Sequence, residues 1–276
     1  MKYKIVSDSS SNMLRLEDVA FATVPLKILC GSNEFTDDNN LNLEEMITTL
    51  KKSSYKTSTS CPNPNDWLDA FSDAENIFAI TITSALSGSY NSLLQAKQDY
   101  ENYNPHAHVF TIDSLSAGPE MYLIIEKIKE CILQELSYDE ICQKITDYQT
   151  HTSLLFSLQS LTNLANNGRV SHAAAKIAGI LGIRMVGIAD EHGQLKLLDK
   201  CRGEKKAIDT IFKEMKHYGY NGGSVRIAHC YNQNAADTLS SLIKNDYPES
   251  DIKIHHCTGL CSYYAEYGGL MIGFEK

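Results

Sequence analysis

The spacing of apolar and polar residues predicts alternating strands and helices in the first half of the chain. Three short apolar segments, Tyr3–Val6, Ile77–Thr83 and His108–Asp113, have the β-rich composition of buried strands. A long helical segment, Met121–Glu135, follows the third of them. Strands separated by helices of about ten or more residues are typical of a parallel sheet with helices on its faces. We therefore predict a parallel α/β domain over residues 1–151.

After residue 151 the pattern changes to shorter, mixed elements. Two β-rich segments, 183–190 and 194–200, are separated by turn residues and are predicted to form a hairpin. The small-residue helix before this hairpin is predicted to end at Gly182. Further strands are predicted at 224–230, 251–257 and 268–274. We therefore predict a C-terminal α+β domain over residues 152–276, and an α/β fold of two domains for the whole chain.

Composition and charge narrow the functional classes. The chain of 276 residues has 25 basic and 34 acidic residues, and its net charge of −9 argues against a nucleic-acid-binding protein, which needs a basic face. No apolar segment of signal-peptide length lies at the N-terminus, and no stretch is apolar enough to cross a bilayer. Eight scattered cysteines without a Cys-x-x-Cys pair are typical of reduced thiols. We therefore expect a cytoplasmic protein.

Several loops between the predicted elements are rich in hydroxyl groups. Their candidate binding residues are Ser9, Thr59, Ser60, Ser87 and Ser114. Such residues also make ordinary turns and helix caps, which is the alternative interpretation for any single loop. However, the carboxyl ends of parallel strands converge on one crevice, so several of these loops are expected to meet. Hydroxyl and N–H groups without nearby charges favour a carboxylate ligand over a polyphosphate.

Motifs for other chemistries are missing or weak. The serine-rich segment 84–90 lacks the first glycine of a Gly-x-Ser-x-Gly nucleophile elbow, and neither a P-loop nor a Gly-x-Gly-x-x-Gly motif occurs. His255 and His256 are adjacent on a predicted strand and face opposite ways, so we expect one half-buried and one exposed histidine and no metal site. Cys257 and Cys261 have helical spacing, but a metal site would need two more ligands; buried free thiols are the favoured interpretation.

Six short motifs, in order along nearly the whole chain, resemble those of the DegV family. Ser-Asp-Ser-Ser-Ser-Asn at residues 7–12 is similar to its Asp-Ser start, and Thr59–Pro62 to its Thr-Ser-x-Pro turn. Ser84–Ser92 is similar to its Ser-x-x-Leu-Ser-Gly-Thr-Tyr element. The remaining three matches are Ile112–Ser114, Leu161–Ser171 and Lys200–Ile208.

This resemblance implies a two-domain fold that holds a long-chain fatty acid between its domains. It also implies a non-catalytic role as the fatty-acid-binding subunit of a bacterial fatty acid kinase, which presents the carboxylate to a separate ATP-dependent kinase subunit. Transient membrane contact is compatible with this role. No cofactor is expected besides the fatty acid itself. By the matched motifs, Thr59, Ser60, Ser87 and Gly88 would hold the carboxylate, and Arg202 would supply a cation beside it.

The sequence departs from the family pattern at three places. Asn167 replaces the second glycine before an arginine, and it still tolerates a left-handed backbone. Arg184–Met185 stands where the family has Lys-Pro. Counting back from the last strand without a gap places Tyr264 at the position of the family's histidine, so we expect its hydroxyl to make the head-group hydrogen bond. His256 would substitute only if the loop shifted.

Two other functional classes remain as alternatives. A hydrolase or another enzyme could act on a lipid or acyl substrate through the same serine-rich pocket, although no histidine or lysine lies within the matched serine loops to activate a nucleophile. A regulatory module that binds some other small carboxylate is the third interpretation. The binding of a fatty acid is the interpretation that the resemblance favours.

Overall fold

The structure is a computed structural model that describes residues 3–72, 74–178 and 180–276, apart from the side chain of Ile177. The strands are β1 Tyr3–Asp8, β2 Ala20–Val24, β3 Lys27–Cys30, β4 Asn33–Thr36, β5 Thr57–Ser60, β6 Asn76–Thr81, β7 His108–Asp113, β8 Thr152–Leu158, β9 Ile183–Ala189, β10 Leu195–Arg202, β11 Val225–His229, β12 Ile252–His256 and β13 Leu270–Glu275. The helices are α1 Leu43–Lys52, α2 Pro64–Phe71, α3 Ser89–Tyr103, α4 Pro119–Leu133, α5 Tyr138–Thr150, α6 Thr162–Asn166, α7 His172–Ala178, α8 Glu204–His217, α9 Gln233–Asp246 and α10 Gly259–Ala265.

The first half of the chain forms a four-stranded sheet in the order β2-β1-β6-β7, and every neighbouring pair is parallel. Strand β6 is buried along its whole length, which explains why it is a continuous apolar segment in the sequence. On one face α4 and α5 cover a core that includes Ile5, Phe78 and Ile80. The predicted parallel sheet with covering helices is confirmed.

The second half forms a six-stranded mixed sheet in the order β10-β9-β8-β13-β11-β12. The predicted hairpin is present as the antiparallel pair β9 and β10. Helices α8 and α9 cover one face of this sheet through a core around Val186, Ile211 and Phe274. All of its strands come from residue 152 onward, whereas the strands of the parallel sheet end at Asp113. The predicted mixed architecture is confirmed.

A third sheet, small and antiparallel, lies in the order β4-β3-β5 and was not predicted. Its strands have only four residues each, and β5 is the segment Thr57–Ser60, which the sequence suggests to be a hydroxyl-rich loop. Helix α10, also not predicted, packs on β3 through Tyr263 and Ile28. The small sheet and α10 together carry several residues of the site described below.

Two finer predictions have different outcomes. The small-residue helix α7 is helical to Ala178, Gly179 lies outside the described residues, and β9 already begins at Ile183, so the described helix stops short of Gly182. On β12, His255 is half-buried and His256 is exposed, as strand alternation predicts.

Candidate ligand-binding site

An apolar cavity of about 330 Å³ lies between the carboxyl-terminal loops of the parallel sheet and one face of the mixed sheet. The parallel sheet contributes the loops after β6 and β7, through residues such as Ile82 and Ala117. The mixed sheet contributes alternate side chains of β8 together with Met271 on β13. Its volume is within the range of small-molecule sites in proteins. Most of the lining side chains are aliphatic or aromatic, so the cavity suits an apolar ligand.

The polar part of the lining comes from two segments that meet at one end. Strand β5 contributes Thr59 and Ser60, and the turn before α3 contributes Ser87 and Gly88. The Ser87 hydroxyl accepts a hydrogen bond of 3.2 Å from the N–H of Ser89. A β-carbon on Gly88 would lie 3.2 Å from the sulfur of Cys61, so the lack of a side chain lets the two segments approach closely. The structure therefore brings these four predicted residues together.

Arg169 supplies a cation to this lining, and it was not among the predicted site residues. Its Nε donates a hydrogen bond of 3.1 Å to the carbonyl oxygen of Leu86, and its guanidinium also donates to the carbonyl oxygen of Asn167. Gly168, with a φ of +74°, makes the turn between α6 and this arginine. Arg169 could have been predicted, because it lies inside the segment 161–171, which resembles a family motif.

Tyr264 reaches the cavity from α10 and is hydrogen-bonded to β5. Its hydroxyl lies 2.7 Å from the hydroxyl of Thr59, and the neighbouring Tyr263 hydroxyl lies 2.7 Å from that of Thr57. Burial raises the pKa of Tyr264, although the bond to Thr59 and the charge of Arg169 oppose the rise. Tyr264 is therefore a neutral donor or acceptor at physiological pH.

A buried carboxylate, that of Asp37 directly after β4, holds helix α10 in place. The Asp37 carboxylate accepts hydrogen bonds of 2.7 Å and 3.0 Å from the N–H groups of Gly259 and Leu260, at the start of α10. Burial raises the pKa of Asp37 to about 6, against the lowering effect of these bonds. Asp37 thus connects the segment after β4 to the helix that carries Tyr264.

A second buried carboxylate, Asp8, organises the loops around the start of α3. It accepts hydrogen bonds of 3.0 Å from the N–H of Ile82 and 2.7 Å from the hydroxyl of Ser89. Its oxygen also contacts the hydroxyl of Ser10. Burial raises the pKa of Asp8 to about 6, although these bonds oppose the rise. Asp8 therefore has a positioning role behind the cavity wall.

Three predicted binding residues do not lie among the described residues of the cavity lining. Arg202 is exposed at the end of β10, so its charge remains in solvent. Ser9 is fully buried, and its hydroxyl accepts a hydrogen bond of 3.1 Å from the N–H of Leu26. Ser114 closes its own turn by donating to the carbonyl oxygen of Ser116 and accepting from its N–H. These three residues therefore lie outside the described lining: the two serines stabilise loops, Arg202 lies at the end of β10, and the arginine that lines the cavity is Arg169.

Two departures from the family pattern acquire local explanations. Asn167 has a φ of −100°, so its left-handed tolerance is not used. Instead its side-chain N–H donates hydrogen bonds of 2.9 Å to the Tyr263 hydroxyl and to the Asn163 carbonyl oxygen. Arg184 donates to the carbonyl oxygen of Gly268 at 2.9 Å and forms an ion pair with Glu204. Asn167 therefore holds the Tyr263 side chain of α10, and Arg184 holds the backbone just after that helix.

The described residues do not form a metal site or a reactive thiol centre. No group of three or more His, Cys, Asp or Glu side chains within that part of the chain is arranged to hold a metal ion. All eight cysteines are free thiols. Cys257 and Cys261 are buried, and burial raises the pKa of both thiols, so they are protonated and unreactive. Within the same described part, no helix is long and apolar enough to span a membrane.

Comparison with known proteins connects this geometry to a family. Residues 2–276 match the family model described as an uncharacterised protein of the DegV family. A DegV domain-containing protein of Streptococcus pyogenes serotype M1 is 42% identical, and the match covers all of both chains.

Two solved structures are similar over nearly their whole length. One is the Streptococcus pneumoniae Fatty Acid Kinase (Fak) B3 protein loaded with linoleic acid, with a TM-score of 0.98, 42% identity, and coverage of 100% of this chain and 99% of that one. The other is a DegV family protein of Eubacterium eligens loaded with heptadecanoic acid, with a TM-score of 0.97, 40% identity and 99% coverage of both chains. By its sequence and its fold, the chain belongs to the DegV family.

Proposed function

We propose that this protein binds one long-chain fatty acid, with the acyl chain in the apolar cavity and the carboxylate at its polar end. The observation that carries the proposal is the polarity of the lining, which is apolar along the mixed sheet and polar where Thr59, Ser60, Ser87 and Arg169 meet. The two similar proteins loaded with linoleic acid and heptadecanoic acid support the same ligand class.

The energetics of such a ligand match the two parts of the lining. Each buried methylene contributes roughly 0.8 kcal/mol, so a palmitoyl chain offers gross stabilisation on the order of 10 kcal/mol before ordering costs. A carboxylate taken out of water needs hydrogen-bond donors on its oxygens, or it takes up a proton instead. The hydroxyl groups of Thr59 and Ser87 and the guanidinium of Arg169 are donors of the required type.

The protein is a carrier rather than a hydrolase under this proposal. A serine nucleophile needs a base within hydrogen-bond reach, whereas the Ser87 hydroxyl accepts its hydrogen bond from the N–H of Ser89, which cannot act as a base. Among the described lining residues the ionisable side chains are Cys61, Cys261, Tyr264 and Arg169, and none is a histidine or a carboxylate. The bound carboxylate would be presented to a separate ATP-dependent kinase subunit, and the Fak B3 relative supports this assignment.

The domain boundary belongs to the same proposal. We place it between residues 151 and 152, where the chain leaves α5 and enters β8. The cavity is then bounded on one side by loops of the N-terminal unit and on the other by β8 and β13, so the ligand lies between two domains.

The proposed function is tested by titrating delipidated protein with oleate and, as a matched ligand, with oleyl alcohol. We expect tight binding of oleate at one site and much weaker binding of the alcohol, because the alcohol has the same chain without the charged head group. Equal affinity for both ligands would contradict a carboxylate site. Formation of acyl phosphate on addition of a fatty acid kinase subunit and ATP tests the partner.

A further inference from the structure

One face of β8 forms the floor of the apolar cavity. Leu158, Phe156 and Leu154 alternate along the strand and all line the cavity. Leu158 is nearest to the polar end, because the chain continues from it into α6, which packs against β5, and then to Arg169. Each step of two residues along the strand advances roughly 7 Å. The distance from the proposed carboxylate site therefore increases in the order Leu158, Phe156, Leu154.

The next residue on that face is polar. Thr152 is 3% exposed, and its hydroxyl donates a hydrogen bond of 2.7 Å to a carboxylate oxygen of Glu120. Glu120 is itself buried, at 6% exposure, in the first turn of α4. The aliphatic floor thus ends after Leu154 at a buried polar pair, which we call the Thr152–Glu120 pair.

The start of α4 is packed directly onto the mixed sheet at this point. Gly273 lies opposite Leu154 in the β8–β13 register. A β-carbon on Gly273 would lie only 2.5 Å from the backbone N of Glu120, so this glycine allows the helix to contact the sheet. Ala117, just before α4, lines the apolar cavity, whereas Glu120 lines another one. The N-terminus of α4 therefore lies between the two cavities.

The second cavity, of about 640 Å³, has several charged side chains in its lining. Both Thr152 and Glu120 line it, and so do the charged side chains of Asp190, Lys196 and Lys276. An acyl chain that extended past Leu154 would meet the Thr152–Glu120 pair and then the charged groups of this second cavity. Breaking the hydrogen bond between the pair would leave a buried carboxylate without one of its donors, which is costly.

We propose that the Thr152–Glu120 pair is the determinant of acyl-chain length, acting as a polar stop at the far end of the apolar cavity. This inference rests on the proposed binding of a fatty acid and specifies which fatty acids the site accepts. Chains whose methyl end reaches Leu154 bury all of their methylenes. Longer chains must place methylenes against the polar pair, and they gain nothing from the additional length.

The test compares the relative affinities of saturated fatty acids from myristate to arachidate in the wild type and in Thr152→Val. Valine has nearly the shape of threonine and continues the aliphatic floor. A double variant, Thr152→Val with Glu120→Met, removes both polar members. We expect the preference to shift toward longer chains, by about fourfold in affinity for each additional methylene that becomes buried.

Two matched variants control this experiment. Thr146→Val makes the same chemical change at an exposed residue that lines the second cavity, and it should keep the wild-type preference. Thr152→Ser retains the hydroxyl and should largely restore that preference. An unchanged chain-length preference in Thr152→Val that still binds fatty acid would overturn the polar stop and leave the proposed function intact. Failure of the wild type to bind any fatty acid would instead overturn the proposed function itself.

Discussion

At the scale of single residues, the structure places Arg169 in the cavity lining and Arg202 outside the described lining. The Arg169 guanidinium is held by the carbonyl oxygens of Leu86 and Asn167 and faces the cavity, whereas Arg202 is exposed on β10. Motif order alone could not separate the two arginines, because each lies within a segment that resembles the family. Their distance from the other site residues depends on how the chain folds.

Arg169→Gln should weaken fatty-acid binding by roughly 1.5–3 kcal/mol, the usual value of a hydrogen bond to a charged group. Arg202→Gln makes the same change outside the cavity and should leave the affinity unaltered. Titration with oleate at constant ionic strength measures both variants. The reverse order of effects would show that the carboxylate lies elsewhere.

Tyr264 is the second residue expected to contribute to ligand binding. Tyr264 lines the cavity, and its hydroxyl is hydrogen-bonded to that of Thr59, which is also a proposed donor to the carboxylate. Tyr264→Phe should weaken binding by roughly 1 kcal/mol, the net value of one neutral hydrogen bond. Tyr263→Phe is the matched control, because the Tyr263 hydroxyl is engaged with Thr57 and Asn167 instead. Equal effects of the two variants on oleate affinity would argue against a ligand contact by Tyr264.

Asp37 makes the stability of the fold depend on pH. Burial raises its pKa from 3.8 to about 6. Between these values folded Asp37 retains a proton that the unfolded chain has released, so its contribution to stability is complete below about pH 4 and is lost as the pH rises through about 6. The thiols of Cys257 and Cys261 interact with the Asp37 carboxylate, and their raised pKa values keep them protonated throughout this range.

Urea unfolding of the wild type and of Asp37→Asn at several pH values measures this contribution. The free energy of unfolding of the wild type, relative to the variant, should fall by roughly 3 kcal/mol between pH 4 and pH 7, since one pKa unit corresponds to about 1.4 kcal/mol. Leu41→Ala removes packing beside Gly259 without removing a titratable group, so its difference from the wild type should not vary with pH. A relative stability that rises with pH would contradict the sign of the effect.

At the scale of elements, the sequence pattern was sufficient for long or strongly apolar segments and insufficient for short ones. The strands β1, β6 and β7 and the β9–β10 hairpin follow directly from apolar runs and turn residues. The strand β5 has the sequence Thr-Ser-Thr-Ser, in which no apolar residue marks a buried face. It is a strand because β3 pairs with it and because the hydroxyl groups of Tyr263 and Tyr264 in α10 form hydrogen bonds with the hydroxyl groups of its threonines. These tertiary contacts outweigh local preference.

The β9–β10 hairpin makes an element-scale contact with the N-terminal half of the chain. Gly193 at its tip has a φ of +72°, and a β-carbon there would lie 2.0 Å from the hydroxyl oxygen of Thr83 and 3.0 Å from Cα of Leu115. Gly182 has a similar φ of +79°, but a β-carbon there would meet nothing within 4 Å. An added side chain would strain the backbone at both glycines, but it would clash with neighbouring atoms at Gly193 alone. Comparing substitutions at the two positions therefore measures the cost of the clash.

Gly193→Ala should destabilise the protein by roughly 1–3 kcal/mol more than Gly182→Ala, because it adds a clash to the same backbone strain. Chemical denaturation of both variants measures the difference. If the two substitutions cost the same free energy of unfolding, the hairpin tip does not pack tightly against Thr83.

At the scale of the whole molecule, the cavity exists because three sheets and α10 meet around it. The parallel sheet contributes its carboxyl-terminal loops, as predicted from topology. Thr59 and Ser60 were predicted as site residues, but the strand conformation of β5 and the floor from β8 and β13 could not be foreseen, since they depend on packing between segments far apart in the chain. Sequence therefore predicts the hydroxyl-rich end of the site better than its apolar body.

The measurement that tests the account most directly is mass spectrometry of the ligand released by denaturing freshly purified recombinant protein. We expect a long-chain fatty acid from the host, in an amount close to one molecule per chain, and a distribution of chain lengths narrower than that of the host's total lipid. An unrelated protein purified in parallel from the same host is the control for carried-over lipid. The absence of a stoichiometric acyl chain, together with failure of the protein to bind added palmitate or oleate, would contradict the account.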